Sequence, residues 1–109
     1  MEPLALTDLA DAHLNAARGA SSGRSAITVY GHATTSLRQT LIALAVGREL
    51  AEHESPGDAT LQVLRGRIRL TSGDTNWDGG PGDLLAIPDA RHALLAIEDA
   101  AVLLTVAVR

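Results

Sequence analysis

Gly82-Asp83-Leu84-Leu85-Ala86-Ile87-Pro88-Asp89-Ala90-Arg91-His92 is the stretch on which the fold turns. A Gly-Asp turn feeds a short aliphatic run, a proline ends it, and a histidine stands four residues further on, where the next apolar run begins. Upstream, Gly47 is followed after five residues by His53, then by Ser55, the turn Pro56-Gly57-Asp58-Ala59, and a run from Thr60 to Arg65 that ends at Gly66. Further out the same texture continues. Ile27–Tyr30, Leu37–Val46, Ile68–Thr71, His92–Ile97 and Val102–Val108 read as strands cut by Gly, Pro, Asp and Asn, with Ser72–Asn76 and Asp78–Asp83 as turns. Many short strands without intervening helices predict an all-β sandwich or barrel.

One helix precedes them. Thr7 to Arg18 carries Leu6, Leu9, Ala10, Leu14 and Ala17 at helical spacing, with Thr7 as a cap, Asp8 and Asp11 near its start, and Arg18-Gly19 at its end. Gly19-Ala20-Ser21-Ser22-Gly23 reads as a linker, which divides the chain into a helical segment, 1–23, and a barrel domain, 24–109. Leu41–Val46 and Ala101–Val108 are apolar at almost every position, where a half-exposed antiparallel strand alternates. Both faces of these strands therefore expect cover, from the helix or from a second copy of the chain, and a homodimer joined through a sheet face is the expectation.

Composition narrows the function. The chain of 109 residues carries 9 basic and 13 acidic side chains, a net charge of −4. It contains no lysine, and Tyr30 and Trp77 are its only aromatic residues. Neither a nucleic-acid nor an anionic-membrane surface is expected from such a set. No cysteine is present for a disulfide, a thiolate metal site or a nucleophile. The N-terminus lacks the pattern of a secretory signal and no apolar run reaches the ~20 residues of a membrane span, so a soluble, cytoplasmic protein is expected.

The segments Gly47–Gly66 and Gly82–His92 resemble the two motifs of the cupin superfamily, and with their flanking strands the resemblance covers about Leu37 to Val108. The first motif runs Gly, five residues, His, one residue, His, three or four residues, Glu, six residues, Gly; Gly47, His53 and Gly66 match it. The second runs Gly, five residues, Pro, one residue, Gly, two residues, His; Gly82 and Pro88 match, and His92 arrives one residue early. The resemblance implies a jelly-roll β-barrel behind a short N-terminal helix, with three imidazoles and a carboxylate facing a metal inside it. Here Ser55 stands at the second histidine, Ala59 at the glutamate and Ala90 at the second glycine.

The implied ligand set is therefore depleted to His53 and His92. His32 and Asp58 are the outside candidates to complete a site for iron, manganese, nickel or zinc, although Asp58 and Glu54 fall on the wrong parity for a strand facing inward. Three readings stay open. In the first, the barrel binds a small molecule oriented by His53, Ser55 and His92. In the second, His53 and His92 with a recruited ligand hold a divalent metal in an oxygenase or isomerase, its catalytic residues unassigned. In the third, the barrel is filled and its dimer surface is the function. Both histidines read equally as mouth residues bonded to backbone. His13 reads as an ordinary helix-surface residue, the Arg65, Arg67, Arg69 series as a solvated face, Trp77 as cover for a core edge, and Tyr30 as a residue sharing parity with His32.

Overall fold

The structure is a computed structural model that describes residues 2–53 and 57–108, without the side chains of Glu52 and His53. Helix α1 (Leu6–Gly19) is followed by strands β1 (Arg24–Tyr30), β2 (Leu37–Leu44), β3 (Glu49–His53), β4 (Gly57–Arg65), β5 (Ile68–Ser72), β6 (Thr75–Gly79), β7 (Leu84–Ala86), β8 (His92–Ala96) and β9 (Ala100–Val108). They form two antiparallel sheets, of five strands in the order β1-β2-β9-β4-β7 and of four in the order β3-β8-β5-β6. This is a jelly roll, the cupin-like β-barrel that the sequence predicts.

Two strands escape a reading by apolar pattern. β3, Glu-Leu-Ala-Glu-His, has no β-branched or aromatic residue, and its strand state comes from the ladder with β8 rather than from local preference. β6, Thr-Asn-Trp-Asp-Gly, is polar, and it pairs with β5 across the two-residue turn Gly73-Asp74, whose first residue has φ +57°. The predicted turn at 72–76 is thus shorter than expected, and Trp77 lies on a strand.

α1 starts one residue before the predicted Thr7 and takes no side-chain cap. Ala5 occupies the capping position, and the Leu9 N–H bonds its carbonyl at 3.0 Å. Ala10, Leu14 and Ala17 form its buried stripe against Leu41, Ala43 and Ala101 on the outer face of the five-stranded sheet. Alanine at two of the three helix positions lets the helix come close to the sheet. The helix is therefore what covers the outer face of the doubly apolar parts of β2 and β9.

The other face of those strands looks into the barrel. Leu44, Val102, Val63 and Leu61 pack there against Ile68, Leu70, Leu94 and Ala96 of the four-stranded sheet. The registers order this inner face into rows: Leu44 beside Ala100, then Ile42 beside Val102 and Val63, then Thr28, Thr40, Leu104 and Leu61, and last Arg38 beside Val106 and Ala59. The first two rows are aliphatic and close-packed. On β2 the inward polar side chains, Thr40 and Arg38, fall in the last two rows, which form the mouth of the barrel, while the exposed Arg24 edges the first row beside Leu44.

Candidate ligand-binding site at the barrel mouth

His92 opens β8 and is its only polar residue. It is 3% exposed and is the one buried polar or charged residue among the described residues. Its parity with Leu94 and Ala96, both in the core cluster, turns it inward. The turn before it is one residue shorter than the cupin pattern and needs no left-handed residue at Ala90, where non-glycine backbone stays at negative φ. Instead the Ala90 carbonyl accepts from His92 Nδ1 at 2.9 Å. A carbonyl can only accept, so Nδ1 carries a proton.

In the β3–β8 ladder His53 and His92 are direct Cα partners, past an irregularity after Leu50. The two positions singled out in the sequence are thus brought together at the mouth. The His53 side chain and Ser55 lie outside the described residues.

The two outside candidates for a metal do not join them. Asp58 lies in β4 beside Ala107, one residue out of step with the inward row of Ala59 and Val106, and it is exposed. His32 lies in the β1–β2 loop, exposed, and its Nδ1 accepts from the Thr34 N–H at 3.3 Å and lies 3.0 Å from the Thr34 hydroxyl. That fixes the proton on Nε2 and leaves no free lone pair on the ring. With Ala59 in the glutamate position, no three His, Asp or Glu side chains gather in a metal-holding group among the described residues. Among the described residues, no set of side chains fits a resident transition metal.

Sequence reasoning passes over Arg38. Counting inward by twos from Ile42 through Thr40 places it on the barrel side of β2, in the mouth row. Its Nη2 donates to the Ala33 carbonyl at 3.1 Å, and its Nε is buried without a partner. An unsatisfied buried donor costs about 1–3 kcal/mol. A cavity of about 260 Å³ opens beside it, lined by Thr28, Gly31, His32, Ala33, Arg38 and Thr40.

Tyr30, which by sequence position shares parity with His32, does not keep that parity in the fold. A bulge between Thr28 and Tyr30 sets Tyr30 opposite Gln39, on the outward face, half exposed. Arg65 pairs with Asp11 on α1, and Arg69 grips Asp78 through Nε and Nη2 at 2.8 and 3.1 Å, which holds the Asp78 carboxyl below its usual range. These arginines tie surface elements together. His13 likewise bonds Ser25 at the helix–sheet contact, 2.7 Å away. Trp77 is half exposed beside Leu84 and Leu85, in a groove between the two sheet edges.

No protein-family model matches the chain, and no curated protein matches it in sequence. Solved structures do match. A conserved protein of unknown function from Streptococcus pyogenes is 27% identical over 83% of this chain and 78% of its own, with a TM-score of 0.73. A cupin superfamily protein from Desulfitobacterium hafniense is 23% identical over 99% and 92% of the two chains, with a TM-score of 0.75. An RmlC-like cupin protein from Desulfovibrio desulfuricans is 25% identical over 77% and 81%, with a TM-score of 0.66. Two facing antiparallel sheets with histidine at the mouth define a class of β-barrel rather than an activity. The chain is a cupin-fold protein.

Proposed function

We propose that this barrel binds a small molecule at its mouth, without a resident metal, and that His92 with His53 and Ser55 orients it. The observation that carries the reading is His92: an imidazole buried among aliphatic side chains, its Nδ1 tied to backbone and its position paired with His53. A buried polar group in an apolar barrel is expensive unless it is satisfied, and an imidazole held at the mouth is placed to orient a polar ligand. The depleted ligand set argues against the metal-dependent enzyme. The test is saturation-transfer NMR of the chain against a library of small metabolites, alongside His92→Ala and elemental analysis of protein prepared without chelator. Transfer to a compound by the native chain, lost in His92→Ala, is the expected result. A stoichiometric metal lost in both His53→Ala and His92→Ala restores the enzyme reading, and no transfer at all favours a filled barrel.

We also propose that two copies of the chain meet on the outer face of the five-stranded sheet beyond α1. Tyr30 and Leu37 stand exposed there, and Leu84 at its far edge.

A further inference from the structure

Arg18, Arg65 and Arg69 each meet a carboxylate. Arg38 meets none: its one bond is to a backbone carbonyl, and its Nε–H is a buried donor with nothing to receive it. Arginine stays charged under all ordinary conditions, so an unpaired guanidinium in the inward row of a barrel is a charge waiting for its counterpart. Among the described residues the lining of the cavity beside it holds a guanidinium and no carboxylate, although the chain as a whole carries −4.

The surroundings are those of an anion cradle. Thr28 and Thr40 bring hydroxyls from adjacent strands, paired directly across the β1–β2 ladder. His32 brings an Nε2–H, its tautomer set by Thr34 on the other nitrogen. Gly31, at φ +99°, holds the loop close: a Cβ there would press on the Leu37 carbonyl and Thr35. The next inward neighbours along the rows are Leu104 and Val106, so the space beyond the charged group is aliphatic. One guanidinium balances one negative charge. Its planar fork fits a carboxylate, whereas a phosphate dianion asks for more positive charge than this cavity holds.

We infer that Arg38 anchors the carboxylate of a compact organic acid at the barrel mouth, with Thr28, Thr40 and His32 as further donors and the aliphatic rows receiving the body of the ligand. The inference rests on the small-molecule reading above and names its ligand class. A small turn of the guanidinium brings the orphaned Nε–H edge into the cavity, where the carboxylate satisfies it.

The experiment follows the arginine Nε–H resonances of ¹⁵N-labelled protein together with its backbone amides. The probes are isobutyrate, lactate and succinate, with isobutyramide as the neutral analogue and inorganic phosphate as the alternative anion. Saturable movement of the Arg38 Nε–H with at least one carboxylate by ~10 mM, a range suited to fragment-sized ligands, is expected, with isobutyramide silent. Arg38→Gln is expected to weaken that carboxylate by at least about tenfold. Should Arg38→Gln misfold, Arg38→Lys keeps the charge, loses the fork and is expected to bind more weakly than the native chain. Response to phosphate alone, equal binding by Arg38→Gln or Arg38→Lys, or a still Arg38 resonance with every carboxylate overturns the inference. If isobutyramide moves the amides around His92 as strongly as isobutyrate while Arg38 stays still, the small-molecule reading survives and only the anion anchor is lost. If no resonance at the mouth moves with any probe, the metabolite library with His92→Ala decides the broader reading.

Discussion

A methyl group at Gly66 would run into the carbonyl oxygen of Asp99, and the residue sits at φ +74°. Gly47 has a similar φ, +80°, but open space where its Cβ would be. Both glycines match the first cupin motif, yet only one of them is a packing constraint. Gly66→Ala is expected to cost about 2–4 kcal/mol, the left-handed penalty plus displaced backbone, and Gly47→Ala about 1–2 kcal/mol, the penalty alone. Urea unfolding of the two variants checks the difference; equal losses would mean that the turn at Asp99 yields freely. At this scale the sequence reveals residue identity better than aim. His92 is legible because a histidine after Gly-Asp-aliphatic-Pro is a rare pattern. Arg38 is not, because Leu37-Arg38-Gln39-Thr40 reads as the wet end of an apolar strand until a register shows which residues face Val106. Tyr30 misleads for the opposite reason: a single bulged residue reverses the parity that its sequence position implies.

At the level of elements, α1 shows how a pattern can be right and its cause open. Continuous apolar strands require two covered faces, and either a helix or a second subunit can supply the cover. The structure supplies the helix over Leu41, Ala43 and Ala101. Its C-terminal end is pinned by Asp99, which accepts from Arg18 Nε at 2.6 Å and from the Val46 N–H at 2.7 Å, joining α1 to the turns after β2 and β8. The Arg18 hydrogen bond chiefly, and the Val46 N–H after it, hold the Asp99 carboxyl below its usual range. A carboxyl whose folded pKa is depressed adds stability above its unfolded value, near 3.8, and that stability is lost as pH falls through the lower folded value. Asp99→Asn is therefore expected to be less stable than the native chain at neutral pH, by under ~1 kcal/mol for so exposed a pair, with the two converging under acid. Urea midpoints measured from neutral pH down to about pH 2, well below the ordinary aspartate value, check this. A constant gap would assign the loss to the Val46 hydrogen bond instead of the charge. β3 and β6 mark the limit of element reading. Neither carries a strand pattern of its own, and both are made by the partners that flank them.

For the whole molecule, the helix removes part of the argument for a dimer and leaves a narrower one. Beyond α1 the outward rows of the five-stranded sheet run from Tyr30 and Leu37 to Leu84, with Gln39 bonded to Thr105 between them at 3.1 Å. A stable interface takes about 800 Å² from each partner, about an eighth of the 6162 Å² that this chain exposes. Three exposed apolar side chains do not supply that, so the Gln39–Thr105 row must be buried with them. A mixed face of this kind predicts association that is dilution-sensitive rather than obligate. Light scattering coupled to gel filtration is expected to give a mass near twice 11.3 kDa at high loading, falling on dilution. Tyr30→Asp and Leu37→Asp each place a charge in the face and are expected to give monomer at every loading with the fold intact. Val46→Ser, at an exposed turn outside the face, is expected to leave the dimer unchanged. A native chain that stays monomeric when concentrated would show that α1 alone answers the doubly apolar strands. A dimer that survives both aspartate variants would move the contact to another surface, of which the groove beside Trp77 and Leu84 is the next to test.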